Sequence, residues 1–426
     1  MVSRTAQQWT GDQSLLFHRS VRIVVLHATF FAVACLLVIS RRPDAVLNAQ
    51  FFAEDGTYWY HDAYQFGFGS LLMPQAGYLH TLTRLIALLA LAVPFSFAPL
   101  LMNLCAIAVQ VLPANIFLSS RFCGIPLRYR LLTSVFYLAL PNTYEINANI
   151  TTIQWHLGLL ACLLLLAKPG GYAWRVFDGI VFVLISVDGV MGILLLPIAA
   201  ALWRARRQTW SAISFVLLLP GAAIQTVTVV LNHSRHSVRL GASVTGLISI
   251  LGRQVFLSSV LGMKTLSRLT PFHSYFFLEI LATSAGLVLL GYALLRAPAE
   301  LKLFILFAFT TFAACLSHPF ATSFDRLQWE AMRLPATAVR YYFLPMIAFL
   351  ASALWAAARI QIPQALRSLA LLVLLVLPVG ICRDWRYPAF ADRHFQEYAD
   401  KFERAQPGTQ MTIPIPPDWS MQLTKH

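Results

Sequence analysis

Charge is scarce in this sequence. Asp, Glu, Lys and Arg together make up 12% of its 426 residues, about half the share in an ordinary soluble domain. Acid is scarcer still, with 18 Asp and Glu against 32 Lys and Arg. The six cysteines, Cys35, Cys105, Cys123, Cys162, Cys315 and Cys382, form no CxxC or similar ligand spacing. That excludes a zinc or disulfide framework and leaves them as small packing residues of apolar runs. No tandem repeat of fixed period is visible, and no long Gly/Ser or Pro linker divides the chain. What is abundant is apolar surface: 58% of residues are hydrophobic and the mean hydropathy is +0.66. No soluble core needs that much. The chain reads as an all-α, polytopic membrane protein in contact with a lipid bilayer.

The net charge of +14 fits that reading, because short cytoplasmic loops collect Lys and Arg. It does not point to nucleic acid, since no basic stretch is interleaved with aromatics as a base-stacking surface requires. A span needs about 20 mostly apolar residues. The candidates are 22–39, 80–95, 98–119, 130–141, 150–167, 176–187, 189–203, 210–231, 274–295, 301–317, 341–358 and 365–382. The first follows Arg19 and Arg22 in signal-peptide order but precedes Arg41-Arg42 and no small-x-small cleavage site, so it reads as an uncleaved span. Segment 241–262 is Gly/Ser-rich and only weakly apolar, and reads as re-entrant or interfacial. The expected bundle has about ten to twelve spans over residues 1–382, followed by a tail, 383–426.

Basic clusters alternate with acidic loops. Arg121/Arg128/Arg130, Lys168/Arg175, Arg204/Arg206/Arg207, Arg296/Lys302 and Arg359/Arg367 mark cytoplasmic loops. The loops 142–150, around Asp188, 232–273 and 318–340, and the tail, then face outward and carry the acids, among them Glu145, Asp188, Asp325 and Glu330. At the N-terminal end Arg4, Arg19 and Arg22 argue for an external first loop, whereas Arg41-Arg42 argue the reverse. Parity from there to Arg121 holds only if the runs 80–95 and 98–119 contain one true crossing, or if a boundary elsewhere lies differently.

The first loop, 40–79, is long, and long ordered loops are usually functional. It places Glu54-Asp55-Gly56 and His61-Asp62 among Phe51, Phe52, Tyr58, Trp59, Tyr60, Tyr64 and Phe66. Trp and Tyr prefer the headgroup level, so the segment is expected to lie along the membrane surface on short interfacial helices. A carboxylate held there can act as general base toward an acceptor hydroxyl or amine; Asp55 is the candidate, with Glu54 in support. With His61 the pair can instead hold a divalent cation, Mg or Mn. The same composition also suits an interfacial aromatic belt with a solvated Glu-Asp turn.

A first span, a long external loop with an acidic pair, and a bundle of many helices resemble the GT-C superfamily of membrane glycosyltransferases, which includes aminoarabinose transferases and protein O-mannosyltransferases. Glu54-Asp55-Gly56 followed by PQAGYLHTLTRLIALLA (74–90) is similar to the corresponding region of bacterial members, most of all the run Gly-Tyr-Leu-His, which contains Tyr78 and His80. The resemblance implies a sugar donor on a polyprenyl-phosphate carrier, a glycan or lipid acceptor, the first-loop acid as catalytic base, and an inner-membrane location with the site facing the periplasm or exterior. Such enzymes often carry a large external soluble domain; here only the tail comes after the bundle, which leaves the acceptor class open.

Further polar groups enter apolar runs. PNTYEINANITTIQWH (141–156) offers Glu145, Asn147, Asn149, Gln154 and His156. Polar groups at membrane depth face a cavity or pair with another helix, so Asn147, Asn149, Gln154 and His156 are candidates for sugar hydroxyls. Asp188-Gly189 interrupts two apolar runs and is either a supporting site residue or a plain turn. Arg340 and Tyr341-Tyr342 precede an apolar helix. By the resemblance, Arg340 meets the carrier phosphate with paired donors, with Tyr341 beside it; snorkelling to the interface is the simpler use of such an Arg. His233 and His236 are spaced i, i+3 without a third metal ligand. The tail is expected to form a short amphipathic helix and then an extended segment over the outer face. The rival functions are a transporter or flippase of lipid-linked sugars, which would place its acids at the bilayer midplane, and a non-catalytic assembly subunit.

Overall fold

The computed structural model describes residues 3–232, 239–269, 275–321 and 326–426, with side chains from residue 21 onward. His233, His236 and Asp325 lie outside the described residues. The chain is an all-α polytopic bundle. Its helices are α1 (Ser3–Arg41), α2 (Thr81–Ala90), α3 (Ala98–Phe117), α4 (Leu127–Leu138), α5 (Ile153–Leu166), α6 (Tyr172–Ser186), α7 (Met191–Arg206), α8 (Thr209–Leu231), α9 (Tyr275–Arg296), α10 (Ala299–Ser317), α11 (Phe343–Ala357), α12 (Gln364–Arg383) and α13 (Phe395–Arg404).

Backbone bonds sort the loops into two ends. At one end Lys168 N–H donates to the Arg121 carbonyl at 3.2 Å. There Arg206 donates to the last carbonyls of α5, Leu165 and Leu166, at 2.9 and 2.8 Å. At the other end Arg41 donates to the carbonyls of Leu138 and Leu140 at 2.9 and 2.8 Å. Gly189 N–H meets the Leu79 carbonyl at 2.8 Å, and Asp384 accepts from the N–H of Asn142 and of Lys264, both at 3.1 Å. The first end carries the basic clusters, with Asp178 paired to Arg121 there, and the second carries most of the acids. Arg41 and Arg42 fall at the acidic end because both are buried; they are internal partners there, not loop charges in water.

Among the described residues α1 and α3–α12 run from one end to the other. α2 does not. It begins at the acidic end, yet Phe95 just beyond it packs on Phe51 and Phe395, and Ser96 N–H donates to Glu403 in the tail at 3.0 Å. Segment 80–95 therefore contains no crossing, and with one crossing between the first loop and Arg121 the parity closes.

Among the described residues, seven segments are apolar and long enough to cross a membrane by length and composition. One of them, Val244–Leu261, nevertheless has both ends on the acidic side. Leu240, just before it, accepts from Trp329 N–H at 3.0 Å, and Met263, just after it, donates to Asp384 at 2.5 Å. It is a tucked-in segment widened to π-helix over Ile250–Leu257.

Burial separates inner from outer helices. α5 and α11 are short and buried almost all round. α1 and α12 are long and mostly unburied within the protein, and present Val24, Leu26, Leu372 and Leu375 outward. That is the surface expected to meet lipid.

The first loop carries short helices at Asp44–Leu47, Asp55–Tyr60 (a π-turn), His61–Phe66 and Gly67–Leu72. The tail forms α13 as the sequence suggests, but the chain beyond α13 is not a simple extended segment. It is an antiparallel hairpin of β1 (Gln410–Ile415) and β2 (Trp419–Thr424), with Ile413 opposite Met421. Apolar residues at alternate positions put Ile413, Ile415, Met421 and Leu423 on one buried face. That face shares a core with Phe51, Trp59, Tyr60 and Phe95 of the first loop and with Phe395 and Phe402 of α13.

Candidate active site

Asp55 opens the π-turn at the acidic end and is only 4% exposed. Three features hold it. Ala53 adopts φ 43°, a left-handed conformation that costs an L-residue roughly 1–2 kcal/mol; its N–H is fixed by the Pro416 carbonyl of the tail at 2.8 Å. Gly56 lets the hairpin approach: a Cβ there would lie 3.0 Å from Phe51 Cβ, 3.1 Å from Ile415 Cδ1 and 3.2 Å from Met421 Sδ. Thr151 Oγ1, from the loop before α5, donates to Asp55 Oδ1 at 2.8 Å and accepts from Trp59 Nε1, also at 2.8 Å. Two further alanines in left-handed conformation, Ala148 (φ 51°) and Ala338 (φ 54°), stand beside Asn149 and Arg340. Backbone strain of this kind persists where the surroundings over-determine it, often at functional sites.

Burial pushes the Asp55 carboxyl up to about 7. The Thr151 hydrogen bond opposes that rise, the charge of Glu54 adds to it, and a backbone hydrogen bond at Phe52 and the charge of Arg42 oppose it. A carboxyl poised near neutrality suits a general base.

The cleft beside Asp55 is walled by Arg42, Asp44, Asn48, Gln50, Asn103, Asn149 and Phe390. Of the residues singled out from sequence, only Asp55 and Asn149 face it. Asn149 also orders the Asp55 support, accepting from Thr151 N–H at 2.8 Å and donating to the Glu145 carbonyl at 3.1 Å. Glu54 is half-buried beside Asp55, its charge felt by both Asp55 and Arg340.

The other candidates do not line that cleft. Arg340 pairs through its guanidinium with Glu145, donates its backbone N–H to the same carboxylate at 3.0 Å, and gives a further hydrogen bond to the Phe320 carbonyl. It is a committed cation, not one extended toward solvent. Tyr341 lies under it and accepts from Phe320 N–H at 3.0 Å. Tyr78 and Trp59 flank His80, with ring centroids 4.6 and 4.8 Å away.

Asp188 caps a helix: its Oδ1 accepts from Leu82 N–H at 3.0 Å in the first turn of α2, and its Oδ2 is buried without a hydrogen-bond partner. His156 does not face a cavity. Its two ring nitrogens are spent on Tyr137 Oη and the Ile146 carbonyl, both at 2.9 Å. Asn147 is fully buried against Gln110 at 3.1 Å, and Gln154 is buried against Gly189.

His61 is not a co-ligand of Asp55. It sits 3.0 Å from Asp62, whose other oxygen receives Arg84 at 3.0 Å. Among the described residues no group of three or more His, Cys, Asp or Glu side chains is placed to hold a metal ion, and the Asp55 cleft carries a guanidinium. These residues do not fit a divalent cation.

Thr151, Trp59 and Arg42 are the site residues that the sequence does not mark. Thr151 meets its partner across 96 positions, and a lone hydroxyl carries no motif.

No protein-family model matches the chain, and no curated protein matches it. Among solved structures it is similar to an archaeal oligosaccharyltransferase, AglB from Archaeoglobus fulgidus, in complex with an inhibitory peptide and a dolichol-phosphate. The TM-score is 0.31 and the identity 13%, over 89% of this chain and 58% of that one. The chain thus spans under two thirds of the length of that structure, and a likeness of this size leaves the functional reading to the chain's own residues.

Proposed function

We propose that the protein is an integral-membrane glycosyltransferase that moves a sugar from a polyprenyl-phosphate carrier to a glycan or lipid acceptor, with Asp55 as general base. One observation carries the reading: a buried carboxyl on a strained turn, held by Thr151 at the wall of a small cleft that also takes in Arg42 and Asn149. The basic end is cytoplasmic by the distribution of Arg and Lys, so the cleft opens on the outer face of the membrane.

In the reaction, ionised Asp55 accepts the proton of the acceptor hydroxyl while its oxygen bonds the anomeric carbon. The bond from that carbon to the carrier phosphate breaks, and its electron pair leaves with the phosphate, inverting the centre. Glu54 keeps the local field negative and Asn149 hydrogen-bonds the acceptor. Arg340 receives the phosphate by exchanging part of its pairing with Glu145. Loss of a general base costs about 10²–10⁴-fold.

The test is Asp55→Asn in purified protein supplied with a polyprenyl-phosphate sugar, reading transferred sugar at equal protein. A loss of at least two orders of magnitude is expected. Full transfer by the variant would remove Asp55 as base, and no transfer by the parent with any carrier-linked sugar would remove the activity.

A further inference from the structure

Arg42 is 2% exposed and lines the same cleft as Asp55. Phe390 stacks on it with 3.4 Å between guanidinium carbon and ring centroid, and Phe390 in turn stacks on Phe52 at 4.0 Å. Stacking satisfies the face of a guanidinium and leaves its N–H groups, which lie in its plane, still seeking acceptors. The nearest acceptor is the carboxylate of Asp44, its ion-pair partner. The nearest carboxylate oxygen, Asp44 Oδ2, is 3.7 Å from Nε, beyond hydrogen-bond distance, and accepts instead from Phe390 N–H at 3.1 Å. Nε is buried without a partner.

The neighbours differ in one respect. Nε is without a partner in Arg41, Arg84 and Arg130 too, but these and Arg121, all buried, each donate through a guanidinium nitrogen to an acceptor within 3.0 Å. A buried cation held by one ion pair beyond hydrogen-bond distance and a stacked ring is costly unless a further acceptor completes it. Arg42 is such a cation, and what it borders is a cleft walled by Asn48, Gln50 and Asn149.

We propose that Arg42 binds an anionic group, a carboxylate or a phosphate, carried by the acceptor that Asp55 deprotonates. The assignment to acceptor rests on the glycosyltransferase reading. In an inverting displacement the base and nucleophile approach one face of the anomeric carbon and the leaving group departs from the other. Arg42 shares the cleft of the base, whereas Arg340 is outside its wall, paired with Glu145. The two cations therefore serve two partners: Arg340 the carrier phosphate, Arg42 an acid on the molecule that receives the sugar. Arg42 is a binding residue and takes no part in proton transfer.

The test uses full-length protein in detergent and reads thermal unfolding at fixed ionic strength. Inorganic phosphate and glucuronate are titrated separately, so that a phosphate acid and a carboxylate acid are told apart. A saturable rise in Tm with one of them is expected in the parent and in Asp55→Asn. In Arg42→Gln the apparent affinity is expected to fall at least tenfold. Asn48→Asp keeps Arg42 and adds a third carboxylate to a cleft that already holds Asp44 and Asp55, so it is expected to lose the response as well, which preserves the test if Arg42→Gln does not fold.

The proposal is overturned if neither anion raises Tm in the parent, if Arg42→Gln responds as the parent does, or if only Arg340→Gln loses the response. No turnover is measured, so these outcomes are independent of the transfer assay with Asp55→Asn: anion binding without transfer would leave the site and remove the reaction.

Discussion

Asp55 stands between two opposing influences, and their balance makes it measurable. Burial favours the protonated carboxyl, while the Thr151 hydroxyl favours the ionised one. The unfolded chain ionises this group at its ordinary 3.8, and the folded protein holds the proton to about 7. Between those values the folded state binds more protons, so its stability falls as pH rises. The Tm of the parent relative to Asp55→Asn is expected to decline from about pH 4 to pH 7 and then level. A flat difference would mean that Asp55 ionises normally. The proposed transfer is expected to have the opposite dependence, rising with pH to a plateau above about 7, because a general base acts ionised. Thr151→Val removes a hydrogen bond to the charged form and is expected to move the midpoint of that rate profile upward by about one to two units. An unmoved midpoint would make Thr151 a spacer. Asp55 is legible in the sequence because carboxylates are rare there and this one sits among aromatics. Thr151 is not, since its meaning lies in a partner 96 positions away. Arg42 reads in sequence as a topology signal, and only its burial against Phe390 shows otherwise.

At the scale of elements, the tail is part of the first loop's core. Ile415 and Met421 close on Gly56 within 3.2 Å of a built Cβ. Gly56→Val forces that contact apart and is expected to cost about 1–3 kcal/mol, read as a lower Tm and faster trypsin cleavage after Arg404. Cleavage at the parental rate would show that the hairpin does not depend on this approach. The sequence displays the period-two pattern of Met411, Ile413 and Ile415, but Pro414, Pro416 and Pro417 obscure it. They read as helix stops before extended chain, and a hairpin is recognised only when the second strand pairs. α2 shows a different limit. Residues 80–95 have the composition of a span, yet the contacts of Phe95 and Ser96 with the tail turn the chain back. Composition records what lipid tolerates, and it takes a long-range contact to say where a segment ends.

For the whole molecule, the dominant feature is that most acids gather at one end, a pattern the loop sequences display, and the orientation it implies rests on the positive-inside rule. In a cysteine-free background, a thiol reagent that cannot cross the membrane is expected to label Lys401→Cys in α13 on intact cells. Cys123 restored alone, exposed at the basic end, is expected to react only after permeabilisation. Labelling of both on intact cells would reverse or abolish the assigned orientation and with it an external site.

The bond from Ala53 to Pro416, and that from Thr57 to Ser420 across 363 positions, also bear on biosynthesis. The strained turn at Asp55 enters the membrane assembly early, but the strands that clamp it are made after every end-to-end helix described. At about 5–20 residues per second, the turn waits roughly 20–70 s for its clamp. A partly synthesised chain therefore has its membrane helices but not the finished turn at Asp55, and the proposed activity is expected only once the hairpin has been made.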